Sequence, residues 1–305
     1  MTSQRHTAPM LDRRRFIFRA TLAAAAVRSA PVGALGRDGE LRFGLTAVVV
    51  RENLNSFNLF EKYLTLRLGR PVEFVQRRTY ADIMDLLGRG ELDAAWICGY
   101  PYVKRRSPEF LDLLVAPVYA GAPLYRSLVI VPQDSPAEHF EDLAGKSFAY
   151  SDPDSNSGYM VPRATLRDAG FDPDRFFRFT FFTFSHAETV MAVSERMADG
   201  GAVDSYVYEV MQKFHSPVAG RTRVIHRSKQ FGFPPIVVRR DLRPEVRERL
   251  RDVLVDMSSD ADGVQMLARL SLDGFAEVSP ALYDPIREVV RKATGNPRTA
   301  EAPGG

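Results

Sequence analysis

The chain has 305 residues, 45% of them apolar and 26% charged, which is enough for two lobes with separate cores and typical of a soluble globular protein. Its net charge of +3 misleads, because residues 1–36 hold six arginines against Asp12 and leave the remainder slightly acidic. That balance gives no support to nucleic-acid binding, and a single cysteine, Cys98, permits no internal disulfide.

The first 36 residues read as an export signal. DRRRFIF (12–18) fits the twin-arginine pattern, ATLAAAAV (20–27) is a short apolar run, and small residues continue to Ala34. The run is far below the roughly 20 apolar residues that span a bilayer, so no stable membrane insertion is expected. No cysteine lies near the cleavage region, which argues against a lipoprotein. The mature protein is expected in the periplasm.

From residue 37 the chain alternates β-type runs with helix-period segments. Strands are predicted over 41–50, 71–76, 92–98, 111–119, 125–132, 146–151, 176–184, 202–208, 222–226 and 234–239. Helices are predicted over 56–69 and 79–90, and over 243–260, 261–270 and 281–294 in the C-terminal third. RATLRDAG (163–170) reads as a further helix closed by Gly170, and the aromatic FFRFTFFTF (176–184) as a core strand. Residues 295–305 lack apolar periodicity and are expected to be a disordered tail. Such alternation argues for βαβ units and mainly parallel sheets.

Two stretches echo each other, TYADIMDLLGRGELDAA from Thr79 and SHAETVMAVSERMADGGAVDS from Ser185. Each runs from a hydroxyl and a ring through a helix to glycine, then enters a strand through Asp93 or Asp204. Two similar lobes facing each other across a cleft would produce this pattern. Ligands of open α/β sheets sit beyond the carboxyl ends of strands, near helix N-termini. Thr79/Tyr80, Ser155–Ser157 and Ser185/His186 all occupy such positions.

SDPDSNSGYMVP (151–162) joins a strand to a helix with hydroxyls, an amide and a glycine. A helix N-terminus offers unpaired N–H groups and the positive end of a dipole, and so can take an anion; plain capping uses only one of these side chains. Asp152 and Asp154 are expected to point away from an anion or to cap the loop, since carboxylates would repel it. LAGKS (143–147) lacks the first P-loop glycine, where Phe140 stands, and precedes a strand. A hydrolase would take Ser157, His186 and Asp204, but the glycines of a nucleophile elbow are absent at Ser155 and Tyr159. No catalytic residue, no metal site and no cofactor is expected: there is no CxxC or HExxH, and the five histidines are scattered.

From about Leu41 to Lys292 the chain resembles the periplasmic phosphate/phosphite/phosphonate-binding proteins of ABC importers. The resemblance rests on LGRPVEFVQRRTYADIMDLL, LDAAWICGYPYV, PLYRSLVIV, DLAGKSFAYSDPDSNSGYMVP, FFTFSHAETVMAV, GAVDSYVYE and FGFPPIVVRRDL, in that order. It implies an α/β, two-lobed type II periplasmic binding protein (Venus flytrap) with two mixed, mainly parallel sheets joined by a two-strand hinge. It assigns oxyanion contacts to Ser155, Asn156 and Ser157, flanking aromatic rings to Tyr80 and Tyr125, and a serine–histidine pair to Ser185 and His186. Asp204 falls where phosphonate binders help hold a ligand amine. Two departures are Asn156, where a hydroxyl is common, and Cys98 with Tyr100 at a turn that is often glycine-rich.

Cys98 is read as a small buried hydrophobe, or else as a thiol lining the cleft beside Tyr100 and suited to trivalent arsenic, as in sensor relatives that signal to a histidine kinase. One lobe is expected over 37–130 plus 229–305 and the other over 131–228, crossing at VIVPQD and RSKQFG. The expected partners are a small oxyanion and an ABC permease, or a kinase sensor domain, for a monomer that closes on its ligand.

Overall fold

The computed structural model describes residues 39–46, 54–104, 110–214 and 216–295. The export-signal region and all of the expected tail but Gly295 lie outside these residues. Chain order runs β1 (Leu41–Leu45), α1 (Leu54–Leu68), β2 (Val72–Gln76), α2 (Tyr80–Gly88), β3 (Ala94–Trp96), α3 (Gly99–Lys104) and β4 (Leu111–Val118). There follow β5 (Leu124–Pro132), β6 (Ser147–Tyr150), α4 (Val161–Asp168), β7 (Phe179–Phe182), α5 (His186–Ser194), β8 (Gly200–Asp204), α6 (Ser205–Lys213), α7 (Pro217–Gly220) and β9 (Thr222–Gly232). The chain then forms β10 (Ile236–Arg239), α8 (Pro244–Val255), α9 (Ala261–Leu270), β11 (Gly274–Ala276) and α10 (Asp284–Thr294). No helix among the described residues is long and apolar enough to cross a membrane.

Two sheets result, one in the order β11-β4-β10-β3-β1-β2 and the other β7-β6-β8-β5-β9. Both are mixed: β1 pairs in parallel with β2 and β3, and β6 with β7 and β8, while β10 and β5 run antiparallel to both their neighbours. The helices between parallel strands cover the sheet faces, so strands such as AAW in β3 and GGAVD in β8 are buried throughout.

The sheet changes at residues 119–123 and 233–235, not at the expected crossings. VIVPQD and RSKQFG begin inside β5 and β9, which pair from Leu124↔Gly232 to Pro132↔Thr222 within the second sheet. The unbroken apolar run hides the switch, because a strand buried on both faces looks the same in either lobe. The two crossings touch: Phe233 N donates to Pro123 O at 2.8 Å, and the buried Trp96 Nε1 of the first lobe donates to Pro234 O at 2.9 Å. Around Phe233 gather Tyr119, Tyr125 and Tyr206, with ring centroids 5.2–6.4 Å away.

Other expectations also shift. YVY after Asp204 is helical, because that carboxylate caps α6 rather than opening a strand. FFRFTFFTF yields only the four-residue β7, at the sheet edge with Phe179 59% exposed; Phe176 and Phe177 instead fill a core with Phe140 and Phe148. The turn after Cys98 winds into α3. A second, larger core runs from the first sheet (Phe43, Trp96, Ile236) through Tyr125 to the second (Ile130, Val203), so the lobes are packed together.

Candidate functional site

The loop after β6 is built by its own backbone first. Ser155 is an extended N-cap whose Oγ accepts from Gly158 N at 2.9 Å, and residues Asn156–Met160 wind as one π-helical turn leading into α4. Pro162 sits in the first turn of α4, where its missing N–H costs nothing. Gly158 is obligatory: a Cβ there would lie 2.4 Å from Ser151 Oγ. Ser127 Oγ of β5 donates to Ser157 O at 2.6 Å, fixing the peptide that carries the next hydroxyl.

Capping therefore consumes Ser155 but not its neighbours. Asn156 Nδ2 donates to Tyr125 OH at 2.9 Å and Asn156 N donates to Cys98 Sγ at 3.3 Å. Asn156 Oδ1 and Ser157 Oγ are buried with no hydrogen-bond partner. On β8, Asp204 Oδ1 accepts from Tyr206 N at 2.7 Å and from Val207 N at 3.4 Å, while Oδ2 is buried and unpartnered. Unsatisfied buried polar atoms are rare and costly, roughly 1–3 kcal/mol each, and three of them gather in this region.

His186 fixes the electrostatics of the far wall. Its Nδ1 faces the Asp204 N–H at 3.2 Å, and its Nε2 faces Tyr80 OH at 3.3 Å. Ser151 Oγ lies 2.8 Å from the same Nδ1 and 2.9 Å from Ala202 O. Burial lowers the His186 pKa to about 3, so the ring is neutral. Burial likewise raises Asp204 to about 7, against two backbone N–H groups that favour its ionised form. Tyr80 and Tyr125 are pushed well above their ordinary value by burial, then by the nearby Cys98 and by acidic neighbours including Asp204. Cys98 rises to about 11, again chiefly through burial, so its thiol is neutral.

The lobes meet through this cluster. Asp152 caps its loop, its Oδ1 accepting from Asp154 N at 2.7 Å, and its Oδ2 also accepts from Tyr80 N at 3.2 Å in the opposite lobe. Asp154 pairs across the lobes with Lys104 at 2.7 Å. The structure thus brings together Tyr80, Cys98, Tyr125, Asn156, His186 and Asp204, with Ser157 buried on the same turn as Asn156. It leaves two residues aside. Ser185 Oγ caps α5 through Glu188 N, and the Tyr100 ring lies beside Lys104 and Asp154. Sequence reasoning missed Ser127, Ser151 and the bridging role of Asp152; a lone serine in the apolar run of β5 was the available signal for the first. No group of His, Cys, Asp and Glu among the described residues could hold a metal ion.

Residues 43–283 match the family described as "ABC transporter, phosphonate, periplasmic substrate-binding protein". The chain belongs to that family. It is 24% identical over 270 residues to the phosphonates-binding periplasmic protein of Escherichia coli (strain K12), covering 85% of this chain and 78% of that one. It is 26% identical to the phosphate-import protein PhnD of Mycolicibacterium smegmatis (strain ATCC 700084 / mc(2)155), covering 64% of each. The binding-protein component of a phosphonate ABC transporter from Pseudomonas aeruginosa superposes with a TM-score of 0.78 at 25% identity, covering 88% of this chain and 90% of that one. The two-lobed α/β fold is therefore that of a periplasmic binding protein, and family members bind substrates for transport.

Proposed function

We propose that this chain binds a small phosphorus oxyanion, a phosphonate before phosphate or phosphite, and presents it in the closed state to an ABC permease. The observation that carries this reading is Ser157 Oγ, a buried hydroxyl donor with no partner on the π turn, with the orphaned acceptors Asn156 Oδ1 and Asp204 Oδ2 in the same region for a cationic or protonated part of the ligand. The π turn supplies hydroxyl and N–H donors to the oxyanion, and Tyr80, Tyr125 and neutral His186 surround it without adding charge. Asp204 then has a separate task. Its free oxygen suits an ammonium on the ligand, and that charge would return its pKa toward the ordinary carboxylate range. An aminoalkylphosphonate satisfies both ends, whereas a bare phosphate meets only the first. Hydrogen bonds to charged groups contribute about 1.5–3 kcal/mol each, so four or five can sustain micromolar binding after ordering costs.

Binding requires the lobes to part, because Cys98 Sγ occupies the Asn156 N–H that an oxyanion would use. The same contact weighs against an arsenite sensor, since Cys98 is neutral, buried and already engaged. Ser155, Ser185 and Tyr100 are assigned supporting places at the loop cap, the α5 cap and the rim. Export through the N-terminal segment, action as a monomer, and absence of catalysis complete the reading.

The test is a thermal-shift panel on the mature protein and its Cys98→Ser variant with phosphate, phosphite, methylphosphonate, 2-aminoethylphosphonate, sulfate, arsenate and arsenite. The expected result is the largest rise with 2-aminoethylphosphonate, retained in Cys98→Ser. A rise with arsenite alone, lost in that variant, would reverse the assignment in favour of sensing.

A further inference from the structure

A cavity of about 260 Å3 lies outside the cleft, between α4 and β9 of the second lobe and α10, a helix that packs on α3 of the first lobe as well as on α4. α10 begins at the crossing, where Tyr283 OH donates to Phe233 O at 2.8 Å, and lies along α4 with Ile286, Val289, Val290 and Ala293 buried. Lys292 Nζ holds Asp168 of α4 at 2.9 Å, and Arg167 Nε donates to Ala293 O at 3.4 Å. The N-terminal end of α4 is the ligand loop itself, since Val161 closes the π turn and also lines this cavity. The two lobes and the loop therefore share one small space.

The chemistry of its lining is uneven. Asp168 and Glu288 are both answered by Lys292, at 2.9 and 3.5 Å. Arg227 reaches Glu209 only at 3.9 Å. Lys229 has no ion pair among the described residues, and its ammonium stands 5.7 Å from the Phe231 ring centroid. His226 also lines the space, and burial lowers its pKa, so it adds no standing charge at neutral pH. What is left over is cationic, beside an apolar wall of Val161, Ala164, Val289 and Phe231. The volume falls below the roughly 300–1,000 Å3 of sites for drug-sized ligands, so only a handful of heavy atoms would fit.

We propose that this cavity is a second binding site, for a small monoanion with a short apolar body such as a carboxylate of a few carbons, and that its occupancy favours the closed lobes. The carboxylate sits on Lys229 and the carbon chain against α4 and α10. A molecule that touches both helices binds only while they are together, so by linkage it favours closure and tightens the cleft for its own ligand. The proposal does not depend on which oxyanion the cleft takes.

The experiment is a thermal-shift titration of the full chain with sodium butyrate, with n-butanol and n-butylamine as controls for the two halves of the ligand. The expected result is a saturable rise with butyrate alone, lost in Lys229→Glu and in Ala164→Leu, which removes the charge and fills the space respectively. Methylphosphonate affinity, measured by calorimetry, is expected to improve about five-fold or more at saturating butyrate. No saturable rise, or one that survives both substitutions, would overturn the site. A rise lost in both variants with unchanged methylphosphonate affinity would overturn the coupling. Failure of methylphosphonate to bind at all would count against the cleft assignment and leave the butyrate arm readable.

Discussion

Two strand-to-helix junctions face each other across the lobes, and they have been finished differently. At the start of α2, Thr79 and Asp82 form a reciprocal capping box and Asp152 takes the Tyr80 N–H from the other lobe. At the π turn, Ser155 caps Gly158 while Ser157 Oγ and Asn156 Oδ1 are left without partners. Both junctions look alike as sequence: a hydroxyl, then a ring or an amide, then a helix. The first has supplied its own anion and is a structural joint; the second has kept its polar atoms unspent. A helix N-terminus is thus a ligand site only where the chain has not already answered it.

Substitutions can sharpen that contrast. The largest effect is expected from the pair behind the open junction. In the folded chain Asp204 stays protonated up to about pH 7, whereas unfolded it ionises near 4, so between those values its contribution to stability falls as pH rises. His186 does the opposite: it stays neutral down to about pH 3 when folded but ionises below about 6.5 when unfolded, so its contribution grows with pH. Over pH 4–6.5 the two slopes offset each other. Relative to the parent chain, Asp204→Asn is expected to make urea-unfolding stability rise more steeply with pH, by about 1–2 kcal/mol per unit. His186→Asn is expected to tilt the slope the other way, and equal slopes in all three proteins would refute the assignment of buried, oppositely shifted groups.

Next comes the hydroxyl itself. Ser157→Ala should weaken oxyanion binding by about 1.5–3 kcal/mol, read by calorimetry, with almost no loss of melting temperature, since Oγ holds nothing in the unliganded fold. At the closed junction the pattern inverts. Thr79→Ala should cost about 1 kcal/mol of stability and leave affinity unchanged, because its Oγ serves only the Asp82 N–H. If Thr79→Ala were the change that abolished binding, the roles given to the two junctions would have to be exchanged.

The alternation of strands and helices, the loop at 151–162 and most of its neighbours were legible because each is a local pattern. Tyr80, Ser157 and His186 could be placed at helix starts from the residues beside them. Asp204 could not, since Tyr206 and Tyr208 read as strand formers and only the carboxylate accepting two N–H groups turns the chain into α6. Asp152 caps its loop as expected, through the Asp154 N–H, but its second partner, the Tyr80 N–H, is 72 residues away, and no local pattern announces it. The crossings escaped because β5 continues the apolar run past the point where the lobe changes. β11, three residues of GFA, is too short to carry a period.

The sequence contains one tryptophan, Trp96, and its indole N–H is tied to Pro234 in one of the two crossings. Rotation of the lobes pivots beside that bond. The chain therefore carries its own optical gauge of opening, in which the emission of a single native fluorophore follows the hinge and needs no label.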